Sequence, residues 1–494
     1  MSAKSKKIVK ASLLLLIVSW YSRILSTISI IILARNLDKE DFGILAGCFI
    51  VQGFFNVLSN VGAEHYLLRK ETISSHDINS AWTIGFLTKS LMALLIFICS
   101  DLAANYMGIP EMSNVLKVMS LSSLFIGLQN PAINLKVKQL DYSKVSLIEI
   151  ISKSVSSTVS IVIAIMYQTY WAVVVGSVLY NFLYSLGSHF IVKHKIKFER
   201  QNLALQWEFS KWILLKGIIS YIKYSSDKVI VGRSFSVGQL GLYNFAMESA
   251  STAFQFIIMP LNKIIYPSLS EYINDRSLLV DKINKSILVL CSVYMPIIFG
   301  GAFLSDMIVP IIFGDKWIEA IPLFQVFLVM TLSRMLTSVL TDIFTLTGHV
   351  KKQFIFELVT SVIFLSIIYF CSSLGLEEFS VVRALCAYLM LFLIIVTLYG
   401  LIGLSLFRII FLLVPIVILS SVMVFSIFML KGFINTGISP LDLIIYIFSG
   451  FFVYLLSFVV SIFFLKDRVN EYSFLYKTFY LPVFNLIMRK VKRV

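Results

Sequence analysis

The chain has 494 residues, 58% hydrophobic and only 14% charged, with a formal net charge of +15 and a mean hydropathy of +0.88. A water-soluble domain carries about a quarter charged residues, so a soluble globular protein is excluded and an integral membrane protein is expected. The basic surplus lies in short loops and at the ends of apolar runs, where it sets topology; no basic-aromatic surface is left for a nucleic acid.

From the N-terminus, basic Met1–Lys10 precedes an apolar run over 11–34 with Arg23 at its centre. That run is too long for a signal-peptide core and reads as a retained first transmembrane helix. Thirteen further runs approach the roughly 20 residues a bilayer crossing needs. They cover 44–66, 80–100, 113–133, 145–166, 171–192, 210–232, 241–266, 285–311, 321–346, 354–373, 380–404, 409–430 and 441–465. No run alternates with period two, which argues against a β-barrel. The expected fold class is therefore all-α, with about fourteen transmembrane helices.

Loop charges orient these helices. With the N-terminus inside, inner loops and termini hold roughly 27 Lys and Arg against about 7 outside. Inner loops include Arg69, Lys70, Lys136, Lys138, Lys193 and Lys351, whereas outer loops carry acids such as Asp38, Asp41, Asp101, Asp315 and Glu377. Both termini are expected in the cytoplasm. The loops are too short for an extramembrane catalytic domain, so an enzyme is not expected. Residues 466–494 form a basic, aromatic tail, read either as an amphipathic surface segment or as a disordered one.

The five cysteines (Cys48, Cys99, Cys291, Cys371, Cys386) sit in or beside apolar runs without CxxC spacing, and the five histidines form no HExxH pattern. Packing thiols are expected, with no disulfide framework, metal or other cofactor.

An internal repeat divides the chain. Leu33-Ala34-Arg35-Asn36-Leu37, followed by Phe42-Gly43-Ile44-Leu45, recurs about 198 residues later as Val231-Gly232-Arg233-Ser234-Phe235, followed by Leu240-Gly241-Leu242-Tyr243. The copies close the first and seventh helices and open the second and eighth. Two parallel six-helix lobes follow, over 1–200 and 201–405, with two added helices over 406–465 and the tail over 466–494. Two-half transporters bind substrate between their halves near the midplane.

Ionisable groups at membrane depth cost about 3 kcal/mol each on insertion scales. Arg23 shares a helix face with Ser19, Ser22, Ser26 and Thr27; Lys89 lies mid-span in the third helix, and Glu149 and Lys153 lie one turn apart in the fifth. The seventh helix carries a stripe of Lys216, Ser220, Lys223 and Asp227, flanked by Lys228. Arg334 lies mid-way along the tenth, and Glu64 and Glu248 lie in the second and eighth. Self-neutralising pairs and snorkelling explain some of these, Glu149 with Lys153 and Lys216 in particular. Arg23, Lys89, Lys223 and Arg334 are too central to snorkel easily. Cations outnumber acids, and a cationic cavity suits an anion, most naturally a phosphate.

With these features the chain resembles the polysaccharide transporter family, the O-antigen and exopolysaccharide flippases of the multidrug/oligosaccharidyl-lipid/polysaccharide exporter superfamily. The resemblance covers most of the chain. It rests on Asp41-Phe42-Gly43, Gly241-Leu242-Tyr243, Phe313-Gly314-Asp315-Lys316-Trp317-Ile318-Glu319-Ala320, and Gly348 followed by Lys351 and Lys352. Asn36-Leu37-Asp38 replaces the family's usual Leu-Gly-Pro. The resemblance implies a MATE-like, V-shaped pair of lobes around a cationic cavity in a bacterial inner membrane. It also implies an undecaprenyl-diphosphate-linked repeat unit as substrate, flipped outward by alternating access at the expense of an ion gradient or membrane potential. No GxxxxGK[ST] motif is present, so the chain is not expected to be an ATP-driven pump.

On this reading the diphosphate meets Arg23, Lys89, Lys223 and Arg334, with Lys153, Lys216 and Lys228 as further candidates. Asp227, Glu64 or Glu248 serves as coupling carboxylate, and the cognate polysaccharide polymerase is a candidate partner. The alternatives are a multidrug exporter of the same superfamily, a lipid II flippase and, further off, a membrane glycan polymerase.

Overall fold

The computed structural model describes residues 3–60, 67, 73–139, 141–191, 194, 196–199, 203–434, 436 and 438–481. Among these there are helices and no strands. In chain order they are α1 (Ala3–Asn36), α2 (Lys39–Ser59), α3 (Ser75–Met107), α4 (Met112–Leu128), α5 (Ile133–Lys138), α6 (Ser143–Tyr167), α7 (Trp171–Ile191) and α8 (Leu203–Ser234). Next come α9 (Val237–Ala253), a π turn (Phe254–Ile258), α10 (Met259–Ser270), α11 (Arg276–Phe303) and α12 (Ser305–Phe313). After a 3₁₀ turn (Asp315–Ala320), α13 (Ile321–Leu346), α14 (Val350–Phe370), α15 (Leu376–Ile402), α16 (Leu406–Phe433), α17 (Ser439–Leu465), α18 (Asn470–Leu475) and a second π turn (Tyr476–Tyr480) complete the order.

Among the described residues, eleven helices are long and apolar enough to cross a membrane, three fewer than the fourteen crossings expected. The three differences have local causes. α4 has 17 residues, α8 carries the charged stripe, and the helix expected over 241–266 is interrupted by the π turn ahead of Pro260. An inserted π turn shifts helix register by one residue and often marks a functional position.

Local chemistry sets the helix ends. Asp38 and Asp41 cap α2 reciprocally, the Asp38 amide donating to Asp41 Oδ2 at 3.0 Å. Ser74 and Asp77 do the same for α3. Gly314, at φ +102°, turns α12 into the 3₁₀ turn and lets Trp317 bury completely, a conformation only glycine adopts without strain.

The chain forms two compact units. The first comprises Met1–Phe245 with Ser361–Leu376. In it α3 lies against α4, α6 against α7, α1 along α6, and α2 against α8. Its most telling contact joins the two repeat copies. A Cβ on Gly43 would stand 2.0 Å from the Val237 carbonyl oxygen, and one on Gly241 would stand 1.8 Å from that of Lys39. Gly43 and Gly241 are equivalent in the repeat, as are Lys39 and Val237, so the contact is reciprocal. The starts of α2 and α9 cross backbone on backbone about a local two-fold, and no side chain fits between them.

The second unit comprises Ala246–Thr360 and Glu377–Val494. Its core centres on α11, with Ile283, Ile287 and Cys291 packed against Leu340 and Phe344 of α13 and Leu412 and Ile416 of α16. Tyr294 bonds Thr331 at 2.8 Å, and Tyr454 of α17 donates to the Ser292 carbonyl at 2.7 Å. The first part of the tail belongs to this core. Glu471 and Tyr472 of α18 are buried, Tyr472 donates to the Leu412 carbonyl, and Arg408 grips Glu471 with two nitrogens at 3.1 and 2.6 Å.

Candidate functional site

In the first unit a buried polar constellation lies on α8. Asp227 is fully buried and accepts the Tyr243 hydroxyl of α9 at 2.9 Å and the Lys228 amide at 2.9 Å. Tyr243 is itself fully buried, one step past the Gly241 crossing. Close approach of α2 and α9 at their starts thus brings the Tyr243 phenol to α8. Lys223, one helical turn before Asp227, is 8% exposed, an unusual degree of burial for lysine, and its ammonium lies 6.0 Å from the Tyr224 ring centroid. Lys228 is half-buried. A buried carboxylate with a phenol donor and a buried ammonium one turn away can hold opposite charges at membrane depth, at a cost that such a cluster needs a function to justify.

Arg23 is half-buried on α1, which is tied to α6 by a 2.7 Å bond between the Tyr21 and Ser154 hydroxyls. Glu149 and Lys153 lie on that same helix α6, both half-buried, with the Lys153 ammonium 5.8 Å from the Tyr180 ring centroid. Lys89, half-buried on α3, lines a cavity of about 200 Å³ with Trp82, Gln129, Asn134 and Tyr184. None of the described α8 side chains lines that cavity, so Lys89 has amide and aromatic surroundings of its own. Gly127 makes room for it: a Cβ there would stand 3.1 Å from the lysine Cβ.

In the second unit Arg334 is exposed on α13. Its guanidinium lies 5.5 Å from the Phe254 ring centroid, and Nη1 lies 3.4 Å from the Ser251 hydroxyl. Phe254 opens the π turn, so the register shift presents an aromatic face to the arginine, a favourable cation–π partner. Glu248 is exposed on α9. Glu64 lies outside the described residues, as does the side chain of Lys216.

Two features escaped the sequence reading. Tyr243 belongs to the Gly241-Leu242-Tyr243 motif, but its role as donor to Asp227 is a tertiary contact with no local signature. A second, apolar cavity in the first unit draws on α2, α3, α8 and α14, which no linear pattern associates.

Residues 32–322 match the sequence family described as "Polysaccharide biosynthesis protein". The match spans more than half of the chain, which therefore belongs to that family. Among its relatives is the lipopolysaccharide biosynthesis protein WzxC of Escherichia coli K12, 21% identical over 345 residues, covering 69% of this chain and 70% of WzxC. The succinoglycan biosynthesis transport protein ExoT of Rhizobium meliloti is 23% identical over 303 residues, covering 60% of this chain and 61% of ExoT. In fold the chain resembles the lipid II flippase MurJ in an inward closed conformation, with TM-score 0.72 and 17% identity over 91% of this chain and 98% of MurJ. It also resembles an inward-facing multidrug-resistance MATE transporter, with TM-score 0.59 and 12% identity over 79% of this chain and 95% of that one. The protein is thus a multi-pass membrane protein with a MurJ- and MATE-type fold.

Proposed function

We propose that this protein is a flippase for an undecaprenyl-diphosphate-linked oligosaccharide, an O-antigen, capsule or exopolysaccharide repeat unit. It carries the unit from the inner to the outer leaflet of the bacterial cytoplasmic membrane. The observation that carries the reading is the set of basic side chains retained in its apolar helices: Arg23, Lys89, Lys153, Lys223 and Lys228 in the first unit and Arg334 in the second. The family match and the transport names of relatives agree with it.

The diphosphate engages Arg23 and Lys223 of the first unit, arginine through its planar fork. Lys89, set among amides and Trp82, suits the sugars, whose hydroxyls bond amides while their faces pack on aromatics. Asp227 is the coupling carboxylate. Tyr243 and Lys223 hold its charge until a cation or proton from the gradient changes the balance and releases the anion. Both termini face the cytoplasm, and the cognate polymerase receives the flipped unit.

Deletion and complementation test this, reading surface glycan on gels and lipid-linked units by mass spectrometry. The expected result is loss of surface glycan with accumulation of finished units in the inner leaflet, and Arg23→Ala at normal protein level reproduces it. Unchanged glycan with altered drug resistance would reject the reading in favour of a multidrug exporter.

A further inference from the structure

The first unit holds an apolar cavity of about 800 Å³, well inside the roughly 300–1,000 Å³ of sites that enclose small ligands. Its walls include Ile50 and Phe54 of α2, Tyr106 of α3, Tyr221 and Ile222 of α8, and Tyr369 of α14. One wall is preformed. The Tyr221 hydroxyl donates to the Ile50 carbonyl, and Gly53 leaves the space its ring needs, since a Cβ there would stand 2.6 Å from the hydroxyl. Phe54, Tyr106, Ile222 and Tyr369 are all more than a third exposed, so the cavity opens sideways along apolar surface rather than into a polar vestibule.

One end of the groove is charged. Arg233, in the last turn of α8, lies with its guanidinium 5.7 Å from the ring centroid of Tyr106. It is exposed and pairs with no carboxylate among the described residues. An apolar trough ending in an unpaired guanidinium has the shape and charge of an anionic amphiphile with one long chain.

The same helix indicates which amphiphile. α8 turns Tyr221, Ile222, Ser225 and Val229 to the groove and buries Lys223 and Asp227 elsewhere. A headgroup served by the polar residues of α8 therefore has its chain beside the apolar residues of that helix. We infer that the groove bounded by α2, α3, α8 and α14 holds the polyisoprenoid chain of the lipid-linked substrate, with its phosphate at Arg233, at a stage separate from its engagement by Arg23 and Lys223. The inference rests on the flippase reading and adds to it a station for the lipid portion. The methyl branches of such a chain fill an aromatic-walled trough with more contacts than a straight acyl chain makes.

The test uses the full-length protein in phosphatidylethanolamine nanodiscs and a photoreactive C55 polyisoprenyl diphosphate, with cross-linked peptides mapped by mass spectrometry. Cross-links are expected on α3, α8 and α14. Ala103→Trp, which places an indole in the groove, is expected to lower capture there at least fivefold. Arg233→Gln, an exposed change that leaves the fold intact, is expected to weaken capture of the diphosphate but not of the uncharged polyisoprenol. Cross-links mapped elsewhere would overturn the inference while leaving the flippase reading standing. Equal competition by phosphatidylglycerol would make the groove a general lipid site and overturn it too. No specific capture anywhere would overturn both readings.

Discussion

Replacing Gly241 with alanine tests the crossing of α2 and α9 directly. The added Cβ would lie 1.8 Å from the Lys39 carbonyl oxygen and 3.0 Å from the Gly43 amide nitrogen. Both obstacles are backbone, so no rotamer change relieves them and the two helix starts must move apart. Overpacking costs about 1–3 kcal/mol, and a backbone obstacle places this site at the upper end. Alanine returns at most about 1 kcal/mol of helix propensity. The expected net loss is therefore about 2 kcal/mol. Gly400→Ala is the matched control, because a Cβ there meets nothing within 4 Å and propensity alone predicts a gain of about 0.5–1 kcal/mol. Thermal unfolding of the purified variants in one detergent reads both, with Gly241→Ala below the unsubstituted protein and Gly400→Ala level with it or above. Gly43→Ala is expected to resemble Gly241→Ala, since its Cβ would stand 2.0 Å from the Val237 carbonyl. The double variant should lose less than the sum, because one separation relieves both clashes. A Gly241→Ala protein as stable as its parent would refute the backbone crossing.

Three further outcomes are expected. Tyr243→Phe removes a buried donor from a buried carboxylate at Asp227, and a loss of about 1–3 kcal/mol should appear in the melting temperature together with reduced surface glycan; unchanged values of both would dismiss the contact. Arg408→Ala strands the Glu471 carboxylate, whose side chain is 4% exposed; because the arginine is 40% exposed, the loss is scaled from the 3–5 kcal/mol of a fully buried pair to about 1–3 kcal/mol. Glu471→Gln should lose less, and proteolysis of the C-terminal segment should accelerate in the order Arg408→Ala, Glu471→Gln, parent. At the start of α11 the Leu278 amide, with the hydroxyl and amide of Ser277, holds the Asp275 carboxyl below the usual carboxylate range. A pKa lowered by folding means stabilisation that is complete above the unfolded value of about 3.9 and fades as pH falls through the lower folded one. The melting deficit of Asp275→Ala at neutral pH should therefore shrink toward pH 3, and a deficit that grew on acidification would contradict the cap.

The repeat was visible in the chain because Gly43 and Gly241 follow an apolar residue at the same place after a helix ending in arginine. What the two glycines do was not visible, since equivalent positions in a repeat need not touch. The tail shows the same limit. Its aromatic and basic letters suit a surface helix or a disordered segment equally well. Only the Arg408–Glu471 grip and the Tyr472 hydroxyl on Leu412 show that residues 470–475 pack into a core. The Trp317 motif was legible as a pattern, and the positive φ of Gly314 supplies its reason.

Composition alone settled the solvent: a chain this apolar and this poor in charge must satisfy its backbone within helices, because the bilayer offers no hydrogen bonds. Spacing along single helices then placed Lys223 and Asp227 on one stripe, since a 3.6-residue period is a local property. Tertiary structure decided the rest. It set Tyr243 against Asp227, gave Lys89 an amide-lined pocket, put Phe254 beneath Arg334 and left the groove ending at Arg233. Each of these joins residues from different helices, and helix-to-helix register depends on packing between surfaces that no local periodicity encodes.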